Sequence, residues 1–305
     1  MTQEHIPRQG QSPHFRPNYV LLTAARNEQA HLCATIDAVS RQTVRPLRWV
    51  ICVNDSTDRT LEIARQHSLS APYVVALNVR LGGPRSFGNK ALAVARAFAE
   101  IERLSFAFVG ILDADHWFGP RFYEVLLSKF LEFPDLGIAT GMHIEVLSNG
   151  TSRVLRQPHD IAVCGMQMFR RECFSDIGGF RPLKWGGIDT LAGVMARQRG
   201  WTTQTFDDIE YHHLRQMGTE GVSTVLLTRI RYGIRDEKLG VHPAYVMLKF
   251  LKWLGQRPYG FGSFAWLVGF LCASFLPRDD NVPSSCRSLL REEQLRRLRT
   301  VFAKT

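Results

Sequence analysis

Several features that commonly announce a function are missing from this chain. Its six cysteines, Cys33, Cys52, Cys164, Cys173, Cys272 and Cys286, form no CxxC pair and fall within apolar patterns, where a free thiol behaves as a small hydrophobe. That argues against a disulfide scaffold or a zinc framework and suits a reducing compartment. The opening "MTQEHIPRQGQSPHFRPN" is polar and contains proline, without the apolar core of a secretory signal. No GxGxxG follows the first apolar run and no GxxxxGK(S/T) occurs, which excludes a P-loop NTPase and argues against a dinucleotide site. There is no internal repeat and no low-complexity segment.

Long uncharged runs are scarce as well. One, Pro258–Pro277, has twenty residues and just reaches the ~20 needed to span a bilayer. Three glycines, two serines and the boundary prolines weaken it. A single span would also carry the Arg-rich end across the membrane, against the positive-inside tendency. An interfacial or re-entrant segment, with the basic end staying cytoplasmic, is therefore the expectation. A helical hairpin packed on the body of the protein is the alternative.

Acidic residues are the minority: 38 Lys and Arg stand against 28 Asp and Glu, a net charge of +10. The excess is local, because residues 241–305 carry ten Lys/Arg and four Asp/Glu, or +6 of the +10. A local basic excess suits an anionic partner, nucleic acid or acidic lipid, or simply a solvated face.

What is present is a rhythm of short apolar runs and helical stripes. "YVLLTAA", "RWVICVND", "PYVVALNV" and "FAFVGILDAD" read as strands, with helices between them in "NEQAHLCATIDAVSRQ", "STDRTLEIARQHS" and "FGNKALAVARAFAEIE". Such alternation with short connections predicts an α/β fold, a mostly parallel central sheet with helices on both faces. Downstream, "GPRFYEVLLSKFLEF" reads as a helix, "LGIATGMHIEVL" as a strand, and "CGMQMFRRECFSDIGGF" as a strand running into a short helix that stops at Gly178-Gly179. "GIDTLAGVMARQRGW" reads as a helix ended by Gly200. Periodicity weakens beyond Phe206 until the basic amphipathic "AYVMLKFLKWLGQ".

Open parallel sheets bind ligands beyond the carboxyl ends of their strands. The strand ends here carry Asn27-Glu28, Asn54-Asp55 and Asp113-Ala114-Asp115. In an extended or turning segment Asp113 and Asp115 point to one side, where two carboxylates can hold a hard divalent cation. Asp115 as a helix cap and Asp113 in solvent is the plainer reading. Asp55 and the following Ser56 to Asp58 could hold a base or ribose, or simply cap a helix. Lys90 stands at a helix start, against the dipole preference for anions; a nearby phosphate would justify it.

The segments "TAARNEQAHLCATIDAVSRQT", "VICVNDSTDRTLEIA", "FGNKALAVARA", "ILDADHWFGPRFYE", "FRRECFSDIGGF" and "GIDTLAGVMARQRGW" resemble, in order and spacing, the successive motifs of family 2 glycosyltransferases over roughly residues 18–213. That resemblance implies a GT-A type fold and an enzyme that moves a sugar from a nucleoside-diphosphate sugar to an acceptor hydroxyl. It implies that Asn27, Glu28 and Asp55 bind the nucleotide, that Lys90 completes the pocket, and that Asp113 and Asp115 form a DxD motif holding Mg²⁺ or Mn²⁺ across the donor diphosphate. Asp189 falls where the family often has the second acid of a Glu-Asp pair, the general base; here the preceding residue is Ile188, so the first acid is missing. Capping of the helix that follows is the other reading of Asp189. A late His, His213 in "YHHLR", would sit at the metal.

The domain organisation expected is a flexible N-terminus over 1–17, a glycosyltransferase domain over 18–235 and a helical, basic and apolar, membrane-associating appendage over 236–305. The expected partners are the sugar-nucleotide donor, a saccharide or lipid-linked acceptor and an anionic membrane surface at the cytoplasmic side, not nucleic acid. A sugar nucleotidyltransferase fits less well, because "TAARNEQAH" lacks the glycines of its usual loop. A non-catalytic sugar-nucleotide binding module is disfavoured by the retained Asp113, Asp115 and Asp189.

Overall fold

The computed structural model describes residues 18–146, 151–155, 157–162, 165–214, 221–256 and 258–302. The expected flexible segment 1–17, Cys164 and Arg215 lie outside them. The first third is a run of βα units: β1 (Tyr19–Ala25), α1 (Leu32–Ser40), β2 (Arg48–Asn54), α2 (Thr60–Ser70), β3 (Val74–Val79), α3 (Phe87–Ala99) and β4 (Phe108–Leu112). These four strands lie in the order β3-β2-β1-β4 and every pairing among them is parallel. Strands covered on both faces need apolar side chains on both, and that is why they are continuous apolar runs in the sequence.

The covering is visible in β1. Val20 and Leu22 join one hydrophobic core while Tyr19 and Leu21 join the other, the period-two alternation of a strand. The first core takes α3, and the second takes α1 and α2. The strand order reverses between β1 and β4, so their carboxyl ends open a crevice of the type that binds ligands in such sheets.

Downstream the sheet becomes mixed. The elements are β5 (His116–Phe118), α4 (Phe122–Glu132), β6 (Leu136–Val146), β7 (Ser152–Val154), β8 (Met166–Arg170), α5 (Arg171–Ile177), α6 (Ile188–Gln198) and β9 (Thr202–His213). The order continues β4-β8-β6-β9-β5, with β7 on β6. β8 is antiparallel to β4 and β6, β6 is parallel to β9, and β5 is antiparallel to β9. The α5 stop falls where the sequence predicts it: Gly178 takes the left-handed conformation (φ 67°) and its N–H reaches the Ser175 carbonyl, a C-cap conformation that glycine adopts at least cost.

Three strands and one helix were not legible: β5, β7, β9 and α7 (Gly221–Leu239). β9 is the important one, because it carries His213 into the sheet opposite His116 and Glu145. Its pairing with β6 jumps from Gly141–Phe206 to Met142–Glu210, and this irregularity breaks the alternation that marks a strand.

The C-terminal region continues with α8 (Pro243–Leu254), α9 (Phe261–Ser274) and α10 (Ser284–Phe302). Helix α7 runs on to Leu239, so the boundary expected at 235/236 falls inside one helix. Leu239, Val246, Trp266 and Leu290 share the first core with the sheet residues. Helices α7 and α9 touch through glycine: a Cβ on Gly269 would stand 2.1 Å from the Ile230 carbonyl oxygen, and one on Gly233 2.0 Å from that of Trp266. The Arg-rich end is not a bare solvated tail. Arg197 binds Glu293 of α10 at 2.6 and 2.9 Å, Arg291 donates to the Gly240 carbonyl and Arg297 pairs with Asp160. Among the described residues no helix is long and apolar enough to cross a membrane.

Candidate active site

The polar strand ends do meet on one rim. Asn27, just past β1, and Asp55, just past β2, are the two non-glycine residues with positive φ, 56° and 49°, among the described residues. Such a conformation is costly and persists only where surrounding bonds hold it. Those bonds are present. Asn27 N–H donates to Ser56 Oγ (3.0 Å), and Thr57 N–H donates to Asn27 Oδ1 (2.8 Å). Asp55 Oδ2 accepts from the N–H groups of Leu81 and Gly82, each at 3.1 Å. The buried Glu28 carboxylate takes Arg85 at 2.7 Å, and its N–H donates to Thr60 Oγ1. Asn27, Glu28 and Asp55 thus brace the loops after β1, β2 and β3 against one another.

Lys90 enters from α3, whose N-cap Ser86 accepts from Asn89 N–H. Its ammonium lies 2.5 Å from Asp113 Oδ1. Burial by itself would lower the Lys90 pKa; the charge of Asp113 and the bond to it, then the charges of Asp189 and Asp115, outweigh that and raise it. One ammonium is therefore within Coulombic reach of three carboxylates contributed by the end of β4, the following turn and the first turn of α6. Asp189 is partly buried, and one of its oxygens accepts from the Thr190 N–H at 2.7 Å.

Asp115 has different partners. His213 Nε2 lies 3.1 Å from Asp115 Oδ2, and His116 Nδ1 lies 3.2 Å from Oδ1. All three residues are buried, and the two imidazole rings stack at 4.9 Å. Burial would raise the Asp115 pKa, but the bonds and charges of His116 and His213 hold it well below the usual carboxylate range. For His213 burial lowers the pKa, and Asp115 more than restores it, so the net direction is up. Behind them His143 of β6 is pushed down to about 3, by burial first and then by His116 and His213. His143 stacks on Tyr211 at 5.1 Å.

Asp115, His116 and His213 can bring one ligand atom each within 4.8 Å of one another, and this is the cluster among the described residues that could hold a metal ion. His116 Nε2 and His213 Nδ1 are buried without a hydrogen-bond partner among the described residues, an arrangement that costs free energy unless something else meets the site. A carboxylate and two imidazoles are an ordinary donor set for a first-row transition ion, so the residues fit one. Asp113, expected as the second carboxylate of the metal set, is not in this cluster; it is paired with Lys90. His116 was not singled out in the sequence: strand alternation alone would place it on the side opposite Asp115, and it is the turn before β5 that brings the two into one cluster. Gly165 was missed too. A Cβ there would stand 2.4 Å from Asp113 Oδ2 and 2.6 Å from His116 Cε1, so the site closes only around a glycine.

Comparison with known proteins identifies the family and the fold. Residues 17–168 match the model of "Glycosyltransferase like family 2". Chondroitin synthase of Pasteurella multocida (strain Pm70) is 28% identical over 127 residues, which is 42% of this chain and 12% of that protein; the chain spans only about an eighth of that relative's length. Among solved structures, mannosyltransferase PcManGT from Pyrobaculum calidifontis, in complex with GDP-Man and Mn²⁺, superposes with a TM-score of 0.55 at 16% identity, covering 92% of this chain and 85% of that one. TarS 1–349 of S. aureus, in complex with UDP-GlcNAc, gives 0.55 at 12% identity over 90% and 84%. The fold is of the GT-A type, as the sequence resemblance implied. The chain belongs, by the matched stretch, to the family 2 glycosyltransferases.

Proposed function

We propose that this protein transfers a sugar from a nucleoside-diphosphate sugar to an acceptor hydroxyl with inversion at the anomeric carbon. The observation that carries the reading is Lys90, a cation among Asp113, Asp115 and Asp189 beside the β1/β4 crevice. Asn27, Glu28 and Asp55 line the nucleotide side of that crevice, and their bracing contacts preorganise it. Lys90 meets the diphosphate, and Asp113, paired with it, holds the ammonium in place at the donor. Asp189 takes the acceptor hydroxyl proton as the oxygen attacks the anomeric carbon. The bond to the diphosphate breaks with its electron pair leaving on the nucleoside diphosphate. No covalent intermediate with the protein is needed.

Asp115, His116 and His213 would hold a divalent ion, Mg²⁺ or Mn²⁺. When bound, such an ion offsets the negative charge gathering on the leaving diphosphate. Two imidazoles favour Mn²⁺, since Mg²⁺ takes oxygen ligands in preference. The Mn²⁺ and sugar-nucleotide complexes of the structural neighbours support the same assignment. The kinship with a polysaccharide synthase supports a saccharide or lipid-linked acceptor in envelope or exopolysaccharide synthesis, at the cytoplasmic face of an anionic membrane. In this division residues 18–235 do the chemistry and 236–305 hold the enzyme at that surface.

The test is a panel of UDP- and GDP-sugars with Mn²⁺, with products identified by mass, on the wild type and Asp189→Asn. A general base contributes ~10²–10⁴-fold to rate, and the variant is expected to lose that much turnover while binding nucleoside diphosphate with Mn²⁺ as the wild type does. Diphosphate release in place of nucleoside diphosphate, or unchanged turnover in Asp189→Asn, would overturn the reading.

A further inference from the structure

From Lys238 to Arg278 the chain contains no Asp or Glu. Among the described residues, the same stretch holds ten of the nineteen exposed large hydrophobic side chains. On α9 and just beyond it, Phe261, Phe264, Val268, Leu271 and Phe275 are exposed, Phe261 at 73% and Phe275 at 89%. Their spacing of three, four, three and four residues makes one continuous helical stripe. On α8, Met247 and Leu251 are exposed one turn apart. The two helices are joined edge to face by the rings of Phe250 and Phe264, 5.3 Å between centroids.

The opposite side of α9 is occupied. Gly262, Ser263, Trp266, Gly269 and Ala273 are buried, with Gly269 against the backbone of α7. A helix that is apolar all round belongs either in a core or in lipid; here one side has a core and the other has none. The fourteen residues of α9 make a helix of about 21 Å, short of the ~30 Å of a hydrocarbon core. Pinned along α7, it cannot stand upright in a bilayer, but it can lie flat in the interface. Lys252 on α8 and Arg278 just past α9 are exposed cations flanking the stripe in sequence, with no carboxylate between them; Asp279 and the exposed Asp280 follow Arg278 on the side away from α9 in sequence. Helix α7 links this face to the crevice: Arg235 lies within Coulombic reach of Asp189.

We propose that the open face of α8 and α9 is a monotopic docking surface that lies in the plane of an anionic phospholipid bilayer. The aromatic and aliphatic side chains enter the headgroup–acyl boundary, and Lys252 and Arg278 meet lipid phosphates. This deepens the transferase reading by naming the surface where the acceptor is met, and it can be tested without turnover.

The experiment is flotation of the full chain with vesicles of equal phosphatidylglycerol and phosphatidylcholine, at low and high salt. The wild type is expected to float, with a fraction resisting high salt because apolar insertion is not screened. Phe264→Glu with Leu271→Glu is expected to reduce binding at least ~10-fold, since two apolar side chains leave the boundary and two negative charges face it. Phe275→Glu, past the end of α9 and nearly fully exposed, gives the same sign with less risk to folding, which circular dichroism checks. Lys252→Gln with Arg278→Gln is expected to remove only the salt-sensitive fraction. A wild type that stays unbound, or glutamate variants that float like it, would overturn the proposal. So would a wild-type dimer that Phe264→Glu with Leu271→Glu converts to monomer, because the face would then be an interface between two copies. A chain that floats but binds no sugar nucleotide keeps the docking surface and removes only the transferase reading.

Discussion

Two buried aspartates, Asp115 past β4 and Asp236 on α7, are treated differently. Asp236, on α7, is saturated. Arg235 Nε and Nη2 bind its Oδ1 at 3.0 and 2.8 Å, while Lys249 and the Trp266 indole N–H bind Oδ2. Asp115 is buried too, but its partners are two imidazoles whose outer nitrogens have no hydrogen-bond partner among the described residues. A buried carboxylate with its bonds complete holds helices together. One flanked by unmet nitrogen donors marks a place prepared for a ligand.

The largest effect that could break this contrast is on stability. Removing one partner of a buried ion pair costs ~3–5 kcal/mol, because the remaining charges are stranded. Asp236→Ala is therefore expected to lose that much in urea unfolding and to keep its turnover per folded molecule. Asp115→Asn is expected to unfold much closer to wild type and to lose the thermal stabilisation given by Mn²⁺ with nucleoside diphosphate. If the two exchange these phenotypes, the contrast is wrong.

A smaller effect sharpens the C-terminal half of it. Gly269→Ala places a methyl group against the backbone of α7, and overpacking of this kind costs roughly 1–3 kcal/mol. Thermal unfolding should register the loss, with Mn²⁺-dependent nucleotide binding unchanged.

The smallest effect is the pH dependence of the Asp236 cluster. Burial would raise the Asp236 pKa, but the charges of Arg235 and Lys249 and the bonds to them lower it below 3.8. A carboxylate whose folded pKa is depressed stabilises the native state above its unfolded value, near 3.9, and loses that contribution as pH falls through the folded value. The stability gap between wild type and Asp236→Ala should thus be full at pH 7 and narrow below about pH 4. A gap that stays constant from neutral to acid pH would show that Asp236 acts by packing and not by charge.

The parallel half was legible because each of its strands is buried on both faces and each connection is short: "YVLLTAA" is β1, residue for residue. The crevice followed from the same pattern, since three polar clusters end three buried runs. Asn27, Glu28, Asp55 and Asp113 could be placed at the rim on that ground, and Lys90 was singled out by its position at a helix start, although the bonds to Ser56, Thr60, Leu81 and Arg85 could not be read. The basic C-terminal stretch was legible as charge, but not as a helix tied back through Glu293, Gly240 and Asp160.

What the sequence determined by itself is what local periodicity and burial dictate: the βα repeats, the polar rim, the stop at Gly178 and the uncharged run near the end. Only the tertiary structure decided which side chains share a site. His116 joins Asp115 through a turn that breaks strand alternation, and His213 arrives on a strand whose irregular register hides it. The uncharged run became a fourteen-residue helix with one buried and one open side because Gly233 and Gly269 let α7 and α9 approach backbone to backbone. Contacts between residues a hundred positions apart leave no period in a sequence; they exist only once the chain has closed upon itself.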